Sequence, residues 1–313
     1  MPGGELPFDQ LLFGLRVRSR IPIPYAPPLR DAGAPDLDLH LSAVPSWLET
    51  MPREPYFRDD EPRFTVDRCA NGAFFFRYPD GTTFVLDGAD IWMAWQPPLI
   101  FEDACTYFVG PVLAFVMRLR GAVCLHASAV ELDGRAIAIA GAAGAGKSTL
   151  AAALVKQGAT LIAEDVLALE KRGSRLMCVP SYAGIRLWPE SAELLFGDRD
   201  ALPLISPTWD KRMFEPNAMA TPRELAAIYL LDRGDATALE PIAPRDAMLR
   251  LIACSYRPEL LDAAMRRQEF DLLGAAASLP LRSLTRGPER DPHSLARLVL
   301  SDATMPSASR TNN

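Results

Sequence analysis

Lysine is scarce in this chain: of the 33 Lys and Arg residues among its 313, four are lysines (Lys147, Lys156, Lys171, Lys211). Where Arg replaces Lys so widely, a retained Lys points weakly to a chemical requirement. The three histidines leave little room for a histidine-built metal site, and the five cysteines are odd in number and never in CxxC spacing. That pattern excludes a zinc ribbon or a disulfide framework and fits a reducing cytoplasm. There is no long apolar run either. The longest, Thr106 to Met117, is broken by Pro111 and ended by Arg118, whereas a bilayer span needs about 20 apolar residues. Met1-Pro-Gly-Gly-Glu is not a basic region followed by an apolar core, so no secretory leader is expected. Nor is there an excess of positive charge. The formal net charge of −6 argues against nonspecific nucleic-acid binding, which needs cations to displace counterions. What remains is an acidic chain, 49% hydrophobic, with core material for one large domain or two modest ones.

Ten of the 28 prolines fall in residues 1–60, which excludes long helices there and predicts extended segments and loops. From Phe64, β-rich runs separated by Asn71-Gly72 and Asp80-Gly81 predict a three-stranded meander. Phe101 to Arg120 reads as a mostly buried helix. We therefore expect a β-rich N-terminal region over 1–97 and a second region over 98–313. In the second, AVCLHASAVEL and RAIAIAG flank a hairpin turn at Asp133-Gly134, LAAALVKQ reads as a helix closed by Gly158, and ATLIA as a strand. VLALE and LMCVP bracket another turn, and LAAIYLLD (225–232) is a further strand. Helices are expected near 244–254, 258–278 (opening at Pro258) and 291–301. Alternating strands and helices indicate an α/β fold.

Gly141-Ala142-Ala143-Gly144-Ala145-Gly146-Lys147-Ser148-Thr149 matches the GxxxxGK[ST] phosphate-loop pattern completely, between an apolar strand and a helix. Glycines let backbone N–H groups wrap phosphate oxygens, and the helix N-terminus adds its positive dipole end. Lys147 is placed to reach β- and γ-phosphates and Ser148 to put a hydroxyl on Mg²⁺. A nucleoside triphosphate is the expected ligand.

Strand 135–140, helix 148–157 and strand 159–163 form a βαβ unit, whose strands are parallel. Glu164 and Asp165 therefore fall on the same edge as the glycine loop. One carboxylate there can hold Mg²⁺ while the other takes the proton from an attacking hydroxyl. The two-residue hairpin turn pairs Leu132 with Arg135 and so sets His126 opposite Gly141, beside the expected phosphates.

The segment LHASAVELDGRAIAIAGAAGAGKSTLAAALVKQGATLIAEDVLALE resembles the catalytic domain of HPr kinase/phosphorylase and its related serine kinases. That family has a histidine 21 residues before the loop lysine and paired acids 17 and 18 residues after it, spacings that fall here on His126, Glu164 and Asp165. The resemblance implies a phosphate-loop nucleotide-binding domain of the HPr kinase type, a mixed sheet with flanking helices, using ATP and Mg²⁺. It implies that Glu164 is the base on a substrate serine and that Asp165, with Ser148, lies on the metal side. The family has Asp at the first position, and the longer Glu allows the two roles to be exchanged. The loop that grips HPr is not recognisable, which points away from HPr as substrate and from the reverse phosphorylase activity.

Pro180-Ser-Tyr-Ala-Gly-Ile-Arg186-Leu-Trp-Pro, followed by Lys211-Arg212 and a strand, resembles the divergent branch encoded with lasso-peptide and other modified-peptide pathways. That branch implies a serine hydroxyl of a peptide or small protein as acceptor, and members of the family are often homo-oligomers. Arg186 reads equally as a phosphate or carboxylate clamp or as a surface arginine beside a core Leu187-Trp188. Lys211 and Arg212 read as transition-state charge from a loop or as a solvated pair. Two alternatives stay open: a nucleotide-binding regulatory protein without transfer, and a kinase for a small hydroxylated metabolite such as free serine. The N-terminal region either covers the core or adds a peptide strand to the edge of the 64–86 sheet.

Overall fold

Prolines through the first 60 residues leave room for short extended runs, and these become strands. The computed structural model describes residues 7–59, 64–289 and 291–304; the outer ends of the two expected regions, 1–6 and 305–313, lie outside the described residues. It begins with β1 (Phe8–Leu12), β2 (Leu15–Ser19), β3 (Leu37–His40), the single-turn α1 (Ser46–Glu49) and β4 (Arg53–Arg58). The expected meander follows as β5 (Thr65–Cys69), β6 (Phe74–Arg77) and β7 (Thr83–Asp87), and β8 (Asp90–Ala94) completes one sheet. Its order is β1-β2-β3-β8-β7-β6-β5-β4. The meander strands are thus interior, and the edges are β1 and β4. Backbone bonds from Leu11 N–H to Pro27 O and from Leu29 N–H to Asp9 O line the outer side of β1. β4 carries Pro55 and a register break between Pro55 and Phe57. The 64–86 strands therefore offer no edge for a peptide to join, which overturns that reading.

The expected single helix over 101–120 is two, α2 (Phe101–Tyr107) and α3 (Leu113–Leu119), joined by a wide turn over Phe108–Val112. Gly110 leaves helical geometry there, beside Pro111, which has no N–H to give the ladder and whose ring crowds the preceding turn. Phe76 and Phe84 of the first sheet, Phe108 and Phe115 of these helices, and Val166 and Val179 from later strands share one buried cluster.

The second half holds β9 (Val123–Leu132), β10 (Arg135–Ala140), α4 (Lys147–Lys156), β11 (Thr160–Ala163), β12 (Val166–Arg172), β13 (Arg175–Val179), β14 (Ile185–Leu187) and α5 (Pro189–Phe196). Then come β15 (Leu204–Ser206), β16 (Trp209–Phe214), β17 (Arg223–Arg233), β18 (Ala238–Pro241), α6 (Pro244–Ile252), α7 (Ala263–Ala276), β19 (Leu281–Arg286) and α8 (Pro292–Thr304). The hairpin turn has φ +51° at Asp133 and +82° at Gly134, as a two-residue turn with both residues left-handed requires. The large sheet is mixed: β9 pairs antiparallel with β10, β11 and β12, while β10, β17 and β19 run parallel. β17 pairs β13 through Arg223 and Glu224 and β10 from Leu225 onward, so β10, β9, β12, β13 and β17 close into a ring.

Alternation along β10 sorts the layers. Ala136, Ala138 and Ala140 face the cluster built with α6 and α7, and Ile137 and Ile139 face α4 and α8. A sheet buried on both faces reads as a continuous apolar run, as RAIAIA does. The helix expected to open at Pro258 opens later, because Pro258–Leu260 forms a single 3₁₀ turn and Asp262 caps α7 by accepting from the Met265 N–H at 2.8 Å. The cap satisfies an otherwise orphaned helix donor, which a proline cannot do. β14, β15 and β16 form a separate three-stranded sheet. Among the described residues, no helix is long and apolar enough to cross a membrane.

Candidate functional site

Five pieces of chain arrive at one edge of the large sheet. β10 and β11 both run antiparallel to β9, so they are parallel to each other with β9 between them, and their carboxyl ends deliver Gly141 and Glu164 to the same side. Hairpin pairing runs from Arg135↔Leu132 to Ala140↔Ala127, leaving His126 level with Gly141. β17, the parallel partner of β10, and β19, the parallel partner of β17, end there too, at Arg233 and Arg286, adjacent in register. Together they line a cleft of about 680 Å³.

The glycine loop needs its glycines. Gly141 (φ +148°), Gly144 (+74°) and Gly146 (+112°) hold backbone conformations that L side chains rarely adopt. A Cβ on Gly141 would sit 2.4 Å from the Leu231 carbonyl oxygen, so only glycine lets β10 leave the sheet beside β17. Gly146 hands the chain to α4, at whose first turn lie Lys147, Ser148 and Thr149. The Lys147 ammonium donates to the carbonyls of Gly141 (2.9 Å) and Ala142 (3.0 Å), and burial lowers its pKa. Thr149 Oγ1 lies 2.8 Å from Ser191 Oγ and ties α4 to α5. Ala142, Ala143 and Ala145 fill the positions between the glycines, where a larger side chain is not needed.

The two acids part company at once. Val166 N–H bonds back to Glu164 O at 2.8 Å, a three-residue turn with Asp165 at φ +65°, an uncommon and strained conformation for a non-glycine residue. Glu164 turns inward and is buried. Its Oε1 accepts from Ser148 Oγ at 2.8 Å, and its Oε2 accepts from Tyr182 OH at 2.5 Å and Arg186 Nε at 3.3 Å. Asp165 is more open: its Oδ2 accepts from Arg186 Nη2 at 3.0 Å, and its Oδ1 lies 3.4 Å from His126 Nδ1. His126 Nδ1 is also 3.2 Å from the Asp165 carbonyl. Burial, aided by the Lys147 charge, lowers the pKa of His126.

Arg186 is buried and bridges the two carboxylates. Burial opposes its charge, but Tyr182, Glu164 and Asp165 outweigh that and raise its pKa well above the ordinary value. Tyr182 is raised too, first by burial. Lys211 also lines the cleft, with Nζ 5.0 Å from the Trp188 ring centre and 5.6 Å from that of Trp209; burial and then Arg186 lower its pKa. Its neighbour Arg212 points elsewhere, pairs with Asp200 and does not line the cleft.

No protein-family model matches this chain. No curated protein matches it either. Among solved structures, the HPr(Ser) kinase/phosphatase from Coxiella burnetii matches 57% of this chain and 94% of its own length, at 16% identity and a TM-score of 0.30.

The site itself joins all the residues singled out above except Arg212, and adds three to which sequence reasoning gave no role. Tyr182 stands inside the Pro180–Pro189 run, but its contact with Glu164 depends on the fold of that loop. Arg233 and Arg286 stand 53 positions apart in the sequence and meet only through the β17–β19 register. A signal was present in that each is followed by glycine at a strand end.

Proposed function

We propose that this chain is an ATP- and Mg²⁺-dependent kinase that transfers the γ-phosphoryl group to a serine hydroxyl of a peptide or small protein, with precursor peptides of lasso or other modified-peptide pathways as the substrate class. One observation carries the reading: a glycine loop, its lysine and serine, two acids and a histidine converge on one cleft. The donor set fits both partners of such a reaction. Glycines that a Cβ would spoil leave the backbone amides of 141–146 facing a polyanion. The Ser148 hydroxyl and the Glu164 carboxylate are hard oxygen ligands within hydrogen-bond distance of each other. Mg²⁺ is ordinarily held by one or two such groups together with substrate phosphates, rather than by an all-protein cage. When bound there, the ion would neutralise charge on the phosphate oxygens.

The protein's own residues then have separable tasks. Lys147 exchanges the carbonyls of Gly141 and Ala142 for phosphate oxygens. Glu164, engaged by Ser148, Tyr182 and Arg186, serves the metal side. Asp165 opens onto the cleft and is steadied by His126 and Arg186, so we assign it the proton of the acceptor hydroxyl. This exchanges the roles that the resemblance implied, and the geometry favours it because Glu164 is the more buried of the two acids and is engaged by Ser148, Tyr182 and Arg186. Catalysis by such a site is mostly positioning and charge neutralisation.

The test is γ-labelled ATP with Mg²⁺ and small peptides extracted from the host, resolved by mass. An acid-stable phosphate on serine is expected, abolished in Lys147→Ala. In Asp165→Asn, kcat should fall by about 10²–10⁴-fold, the usual worth of a positioned base, and Glu164→Gln should raise the Mg²⁺ requirement. Tight ATP binding with no label on any peptide would overturn the kinase and promote the regulatory reading. Label on a free hydroxylated metabolite would overturn the peptide acceptor.

A further inference from the structure

The cleft has a wall that the preceding assignments leave unused. In the same cleft, β17 ends in Arg233-Gly234 and β19 in Arg286-Gly287. The two arginines are direct neighbours in the parallel ladder, and both line the cleft with Gly144 and Gly146. Arg233 donates from Nη2 to the Gly144 carbonyl. Arg286 Nη1 lies 3.7 Å from where a Cβ on Gly146 would be. Both guanidinium groups therefore lie against the loop expected to hold phosphate.

Their placement is built rather than incidental. A Cβ on Gly234 would meet Thr285 Cγ2 at 2.6 Å, and one on Gly287 would meet the Thr237 nitrogen at 2.9 Å. Gly234 N–H bonds to Arg286 O at 3.1 Å, so the two strand ends are stitched together immediately after the arginines. The acid beside them, Asp232, is engaged by Arg250. Two cations on neighbouring strand ends lie beside a glycine loop that brings a lysine of its own. A triphosphate carries more negative charge than one lysine and one divalent ion balance, and planar guanidinium groups suit phosphate oxygens.

We infer that Arg233 and Arg286 form a second phosphate-binding wall, which grips the polyphosphate together with Lys147 and selects triphosphate over ligands with fewer phosphates. The inference rests on the kinase reading for its ligand, and the experiment separates the two. Equilibrium binding of Mg-ATP and of AMP to the full chain would be measured by calorimetry at low and high salt. The proteins compared would be the wild type, Lys147→Ala, Arg233→Ala, Arg286→Ala and Arg233→Lys.

Each Arg→Ala change should weaken Mg-ATP at least 10-fold at low salt and AMP by less than threefold. The loss should shrink at high salt, where exposed charge is screened, and Arg233→Lys should recover part of it. The thermal midpoint of each unliganded variant should match the wild type. Mg-ATP affinity unchanged in both Arg→Ala variants, with Lys147→Ala impaired, overturns the wall and leaves the kinase standing. Equal losses for ATP and AMP that persist at high salt overturn it as well, because they mark a loosened loop. A wild type that binds no Mg-ATP overturns the kinase reading and the wall with it.

Discussion

Asp67 shows how single side chains hold this fold apart from any chemistry. It is buried on β5 and accepts from Arg58 on β4 and, at 2.8 Å, from Arg77 on β6. Burial alone would raise its pKa, but the bonds to Arg58 and Arg77 prevail and lower it. A carboxyl depressed in the folded state contributes stability above its unfolded pKa, about 3.9, and loses it as pH falls through the folded value. Asp67→Asn should lower the thermal midpoint at pH 7 and flatten its decline below pH 4, read from thermal melts across pH 2–7. The candidate site residues were legible at this same scale for a different reason. Lys147, Ser148, Glu164, Asp165 and His126 belong to short segments whose spacing survives into the structure. Tyr182 escaped because its partner is set by a loop, and loop conformation leaves little periodic trace in a sequence.

Elements carry the same lesson with longer reach. Hairpins with Gly turns and the helix after the glycine loop were readable because turn chemistry and periodicity act locally. β14, β15, β16, β18 and β19 were not. They are short or irregularly patterned, and their strand state comes from partners far along the chain. The break between α2 and α3 was foreshadowed by Gly110-Pro111 but outweighed by the apolar run around it. α3 is joined to the later helices by a buried cluster: Arg118 donates to Glu269 Oε1 (3.0 Å) on α7, to Ser255 Oγ (3.1 Å) and to the carbonyls of Cys124 (2.9 Å) and Tyr256 (2.8 Å). Removing one member of a buried ion pair strands the other, at a cost of about 3–5 kcal/mol. Glu269→Ala should therefore lower unfolding free energy by about that amount in denaturant titrations, with Glu269→Gln milder because Arg118 keeps an acceptor.

At the scale of the molecule, the first sheet and the later strands do not divide their apolar surface between separate cores. Phe76, Phe84 and Met93 pack in the same cluster as Phe108, Phe115, Val166 and Val179, and Tyr56 OH reaches across to Leu260 O at 2.8 Å. A fragment beginning at residue 98 would expose that face, so it should express as aggregate or molten protein, with dye binding and lost near-ultraviolet dichroism as the readouts. A soluble, cooperatively melting fragment would show that the N-terminal region is dispensable for folding. This shared interior was not legible in the sequence, since which face meets which depends on topology rather than local pattern.

The two edges of the first sheet have a consequence for contact with other chains. β1 is lined by the backbone of residues 27–29 and β4 is broken at Pro55, so an incoming chain finds no continuous ladder of amides on the described sheet to zip onto. Backbone pairing is indifferent to side chains and would admit almost any extended segment. A sheet that withholds it does not recruit passing extended segments of other chains.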